Sequence, residues 1–159
     1  MTKPDFIYTT YIKTTPEKLW AAITNPEFAR QYWGHENISN WKKGSEWKMV
    51  GADGKDIKIM GKVLESNPPK RLVLTWASPA NKADESQVAF DISIVEDLVR
   101  LDVVHTKLSV DMARGVSRGW PLVLSSMKSF LETGKAIDIM ALKQGCDGEK
   151  LHRRAAEVG

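Results

Sequence analysis

The chain has 159 residues, 42% apolar and 27% charged, with a net charge of +3. That is enough chain for one globular core, and basic and acidic residues are interleaved, which argues against a nucleic-acid-binding stripe. No apolar run approaches the roughly 18 residues of a membrane span. The lone Cys146 has no internal disulfide partner, and the stretch Met1–Asp5 lacks the apolar core of a signal peptide, so a cytoplasmic setting is expected.

The composition of residues 5–13 is that of a strand. Two short helices follow. Thr15 is placed to cap the first, with Pro16 and Glu17 in its opening turn. Asn25-Pro26-Glu27 repeats this grammar, because proline cannot continue one helix but can open another. Gly34 is placed to end the second in a left-handed cap. From Trp41 to Leu108 the apolar period is mostly two. Trp47 and Met49 form one set, and Gly51-Ala52-Asp53-Gly54 reads as a hairpin turn. Ile57, Ile59, Gly61 and Val63 form the next, ended by Asn67-Pro68-Pro69. Leu72, Leu74 and Trp76 precede Ser78-Pro79, and Ala80–Glu85 reads as a polar loop. Val88, Phe90, Ile92 and Ile94 lead to a turn at Glu96-Asp97, and Leu101, Val103 and His105 share one face of the last strand.

Trp120, Val123, Leu124, Met127, Phe130 and Leu131 then make one apolar helical stripe, with Pro121 in its first turn, or at a kink if the helix begins a turn earlier, and Gly134 near its end. Short strands joined by tight turns predict an antiparallel sheet of about six strands. The long helix is the element large enough to cover it, and the short pair closes one end. The fold class is α+β, with residues 1–145 as one domain and 146–159 as a charged tail.

Several of these segments resemble a known family. They are Tyr11-Ile12-Lys13-Thr14-Thr15-Pro16-Glu17-Lys18-Leu19-Trp20 with Tyr32-Trp33-Gly34, then Gly61–Glu65 with Pro68–Trp76, Leu101–His105, and Gly119–Leu122 with Leu131–Gly134. In that order they resemble the activator of heat-shock protein 90 ATPase homologue-like family, within the helix-grip START/polyketide cyclase-like superfamily. The resemblance implies a helix-grip fold. It also implies, as one alternative, a protein partner such as a heat-shock protein 90 ATPase.

The chemistry-bearing residues are sparse. Three histidines and one cysteine show no metal-ligand spacing, and no Gly-x-Ser-x-Gly elbow is present. Asp102 and His105 fall on opposite strand faces. No catalytic residue, metal or cofactor is assigned. His105 reads as a core histidine satisfied by its neighbours, or as a polar contact for a ligand. Trp33, Trp47, Trp76, Phe90 and Trp120 read either as core or as the lining of an apolar pocket with Tyr32 at its mouth. Ile59, Leu124 and Met127 complete the candidate pocket. The leading expectation is a small binding protein that holds a hydrophobic or aromatic molecule between sheet and helix. A protein-interaction module comes second and a cyclase- or hydrolase-like enzyme third.

Overall fold

The computed structural model describes residues 5–51, 53–139 and 141. The expected charged tail and Cys146 lie outside the described residues. Strand β1 (Phe6–Ile12) leads into α1 (Pro16–Thr24) and α2 (Pro26–Trp33), which follow the capping signals. The Thr15 hydroxyl accepts from the Lys18 N–H at 3.2 Å. Asn25 serves both helices: its backbone N–H closes α1 on the Ala21 carbonyl, and its side chain accepts from Glu27 N at 2.9 Å to open α2. Gly34, at φ 80°, ends α2 in the left-handed conformation that glycine adopts without penalty.

Six more strands follow: β2 (His35–Ile38), β3 (Glu46–Gly51), β4 (Ile57–Asn67), β5 (Arg71–Ser78), β6 (Asn81–Val95) and β7 (Leu98–Thr106). All pairings are antiparallel, in the order β1-β7-β6-β5-β4-β3-β2. Helix α3 (Val110–Thr133) completes the architecture, a seven-stranded sheet with one long helix. Its Gly134 cap is left-handed, as its position predicts.

Three expectations are corrected. The sheet has seven strands rather than about six, because His35-Glu36-Asn37-Ile38 pairs with β3. No apolar alternation marks this strand. It is held instead by backbone pairing and by buried Asn37, whose Nδ2 donates to the Ile23 carbonyl at 3.0 Å. The polar loop expected at Ala80–Glu85 is mostly strand: Pro79-Ala80 is the turn and β6 begins at Asn81. Residues 81–83 are exposed, so solvent rather than core chose their side chains and the alternation fails. Finally, α3 starts at Val110, which places Pro121 inside the helix and not in its first turn. Ser109 supplies the cap, accepting from Met112 N at 3.1 Å while donating to Asp84 at 2.7 Å.

The core lies between the sheet and the second half of α3. Trp120, Val123, Leu124 and Met127 are buried there with Leu72, Leu74, Val88, Phe90, Leu101 and Val103. Leu124 and Met127 are each 1% exposed. Truncating either to alanine removes contacts that nothing nearby replaces, and chemical denaturation is expected to show a loss of about 2–4 kcal/mol.

Candidate functional site

Strand alternation aims Trp47, Met49, Ile59, Val63, Leu74, Trp76, Phe90 and His105 at one face of the sheet, towards α3. The result is an aromatic cluster. Trp33, Trp76 and Trp120 meet with ring centroids 5.4–6.4 Å apart, and Phe90 packs edge-on against Trp120 at 5.8 Å. Trp47 joins through Trp76 at 5.5 Å.

His105 is the one buried titratable group in this cluster whose usual pKa lies near neutrality, and its state follows from its partners. The Trp120 indole Nε1–H can only donate, and it points at His105 Nδ1 from 3.1 Å. Nδ1 is therefore an unprotonated acceptor, and the ring proton sits on Nε2, 2.8 Å from Ser86 Oγ. The Ser86 hydroxyl in turn donates a hydrogen bond to the Trp76 carbonyl at 3.0 Å. Burial holds the His105 pKa down at about 4. Both nitrogens are engaged and the residue is 0% exposed, so His105 orients Trp120 and has no free nitrogen for a base.

The packing beside this cluster is incomplete. A cavity of about 280 Å³ lies under the first half of α3, lined by Trp33, Trp76 and Trp120 together with Met49, Ile59 and Val123. Helix α3 borders it with Met112 and Val116 and with two glycines, Gly115 and Gly119, and leaves it open to solvent. A Cβ built on either glycine meets nothing within 4 Å, so close packing does not demand them. They leave space.

The ten candidate residues therefore divide. Trp33, Ile59, Trp76 and Trp120 line the cavity. Phe90, Leu124 and Met127 face the same way but fill the closed end of the core. His105 is a step behind the cavity wall, bonded to Trp120. Tyr32 is buried with its hydroxyl donating to the Ala22 carbonyl at 2.7 Å, so it is no pocket mouth. Trp47 turns its Nε1–H away to the Thr75 carbonyl at 2.8 Å.

Residues 13–132 match the family model described as Activator of Hsp90 ATPase homolog 1-like protein. The chain belongs to this family. Solved structures share its fold. One is CalU16 from Micromonospora echinospora, whose crystal structure is 22% identical, with 96% of this chain and 86% of that chain covered and a TM-score of 0.69. The chain spans 65% of the length of the CalU16 solution structure. Another is the Aha1 dimer from Colwellia psychrerythraea, 22% identical over 84% of this chain and 99% of that one, TM-score 0.69. A third is an HSP90 activator from Plasmodium falciparum, 22% identical over 80% and 95%, TM-score 0.68. No curated protein matches the chain.

Within this Hsp90-activator-homologue-like chain, the cavity residues that sequence reasoning missed are Met112, Gly115, Val116, Gly119 and Val123 on α3, with His35 opposite. A signal existed for the helix. Met112, Val116, Trp120 and Val123 are spaced four, four and three apart behind a serine cap, which is one helical face.

Proposed function

We propose that this protein binds a small apolar or aromatic molecule in the cavity beneath α3. The observation that carries the reading is unfilled space beside three clustered indoles. A cavity of about 280 Å³ accommodates one or two fused rings, given that about 150 Å³ of apolar space takes a benzene. Burying roughly 300 Å² of ligand supplies about 7 kcal/mol before association entropy, so dissociation constants of order 0.1–1 mM are expected. Met49 and Met112 make the walls adaptable, which favours shape tolerance over strict selection. The single cysteine supports a reducing, cytoplasmic setting.

The test is a titration with naphthalene followed through the indole N–H cross-peaks of a ¹H–¹⁵N spectrum. Saturable shifts are expected at Trp33, Trp76 and Trp120 and not at Trp20. Gly119→Leu puts a side chain into the empty space and should abolish the shifts while the fold persists. Wild-type protein whose cavity indoles ignore the probe would sink the reading. A protein-interaction role, supported by the family's description, would then lead, and stimulation of a heat-shock protein 90 ATPase by this chain alone is its direct assay.

A further inference from the structure

A broad concavity lies on the other side of the sheet. Along β3, β4 and β5, Lys48, Met60, Lys62, Leu64 and Ala77 alternate with the residues that face α3, so they point away from it. Irregular register between Met49 and Val50, and again between Val63 and Glu65, bends this part of the sheet. The first irregularity brings Ile57, opposite Val50, onto the same outer face. The result is a trough of about 920 Å³.

Its apolar surface is unusual for a sheet exterior. Ile38, Ile57 and Leu64 are 37–39% exposed and all line the trough, with half-buried Met60 among them. Three lysines, Lys48, Lys62 and Lys82, line it as well. Among the described residues none of the three forms an ion pair, whereas nearby Lys58 is paired with Asp56. Two carboxylates, Glu46 and Glu85, also line it, and Glu46 lies directly across from Lys62 in the β3–β4 register. The trough therefore carries one net positive charge over an apolar bed.

We infer that the trough is a second binding site, specific for a single soluble amphiphile with a slender apolar body and an anionic head, such as a medium-chain carboxylate. The size decides against a protein partner. A stable protein interface needs roughly 800 Å² and 20–30 residues from each side, and three part-exposed aliphatic side chains fall far short. The volume falls within the roughly 300–1,000 Å³ of small-molecule sites. The apolar bed decides against a bare inorganic anion, which gains nothing from Ile38 or Leu64. The unpaired lysines decide the sign of the head group, since an ammonium would meet them in repulsion while a carboxylate completes them. The lysine stems also cover part of the alkyl chain, as amphipathic side chains commonly do.

The 159-residue protein is titrated with decanoate, decanol and decylammonium, all below micelle formation, and read by ¹H–¹⁵N cross-peaks. Decanoate is expected to shift amides of residues 60–64 and 75–77 saturably, with decylammonium at least tenfold weaker and decanol between them. The double variant Lys48→Glu/Lys62→Glu should weaken decanoate at least tenfold. Leu64→Asp should weaken all three amphiphiles, and unchanged melting temperatures would show that both variants remain folded. Equal affinity for decanoate and decylammonium would overturn the inference. So would decanoate shifts confined to Trp33, Trp76 and Trp120, which place it in the inner cavity. Sedimentation with anionic vesicles but no response to monomeric decanoate would assign the face to a membrane surface and equally overturn it.

Discussion

Gly61→Ala is expected to cost about 4 kcal/mol or more, leaving little folded protein at physiological temperature if the starting stability is ordinary. A Cβ at this position would lie 2.0 Å from the Thr75 carbonyl oxygen and 2.6 Å from its carbonyl carbon. Backbone cannot yield as a flexible side chain can, so the β4–β5 pairing itself must part. Two further bonds depend on the same approach. Trp47, cross-strand from Gly61, reaches over it to donate to that carbonyl at 2.8 Å, and Lys62 N donates to Thr75 Oγ1 at 2.8 Å. Urea denaturation of the variant beside wild type measures the loss. A cost below about 1 kcal/mol would mean that β4 and β5 do not approach this closely.

Acid should destabilise the protein as soon as pH falls below about 6.5. The unfolded chain holds His105 near its ordinary pKa of about 6.5, whereas the folded protein holds it at about 4 because burial disfavours the imidazolium. Above pH 6.5 both states are neutral and stability is full. As pH falls from 6.5 towards 4 the unfolded state binds the extra proton, and stability drops by about 1.4 kcal/mol per unit, roughly 3 kcal/mol in all. The geometry agrees, since a proton on Nδ1 would confront the Trp120 N–H. In His105→Gln this part of the slope should vanish. Asp53 and Glu132, held below the usual carboxylate range by backbone N–H groups of Lys55 and Lys13, are the same in both proteins. His105→Ala goes further. It empties a buried site and orphans both Trp120 Nε1 and a Ser86 contact, for an expected loss of about 4–6 kcal/mol. Identical pH profiles for wild type and His105→Gln would contradict the neutral, buried assignment.

The helix pair was legible because capping is local: Thr15-Pro16, Asn25-Pro26 and Gly34 state their geometry within a few residues. The central strands were legible because one face of the sheet is buried, which writes burial into alternation. Where burial is absent the pattern disappears, as at Asn81–Ala83, and where a strand is short and polar, as at His35–Ile38, only its partner reveals it. Gly61 carried a readable sign, since an isolated glycine inside a strand marks a bulge or a close backbone approach. The cavity was half legible. Parity put Trp76 and Phe90, both packed on Trp120, on one face, but parity has no depth. Whether a side chain lines space or fills it depends on what the opposite helix offers, and α3 offers Leu124 and Met127 at one end and two glycines at the other.

That division makes α3 two cooperative units in one continuous helix. Every fully buried residue of α3 is at Trp120 or beyond. The half before it, residues 110–119, is weakened by Gly115 and Gly119, and Pro121 has no N–H to return to the Ser117 carbonyl. This half is tied to the sheet by the Ser109–Asp84 bond at 2.7 Å and the Ser86–Met112 contact at 3.1 Å, with Met112 and Val116 resting part-buried on the core. Unwinding this first half exposes no fully buried residue of the helix, so hydrogen exchange is expected to be faster at its amides than at those beyond Trp120. The half of α3 that borders the proposed ligand cavity is thus the half that opens most readily.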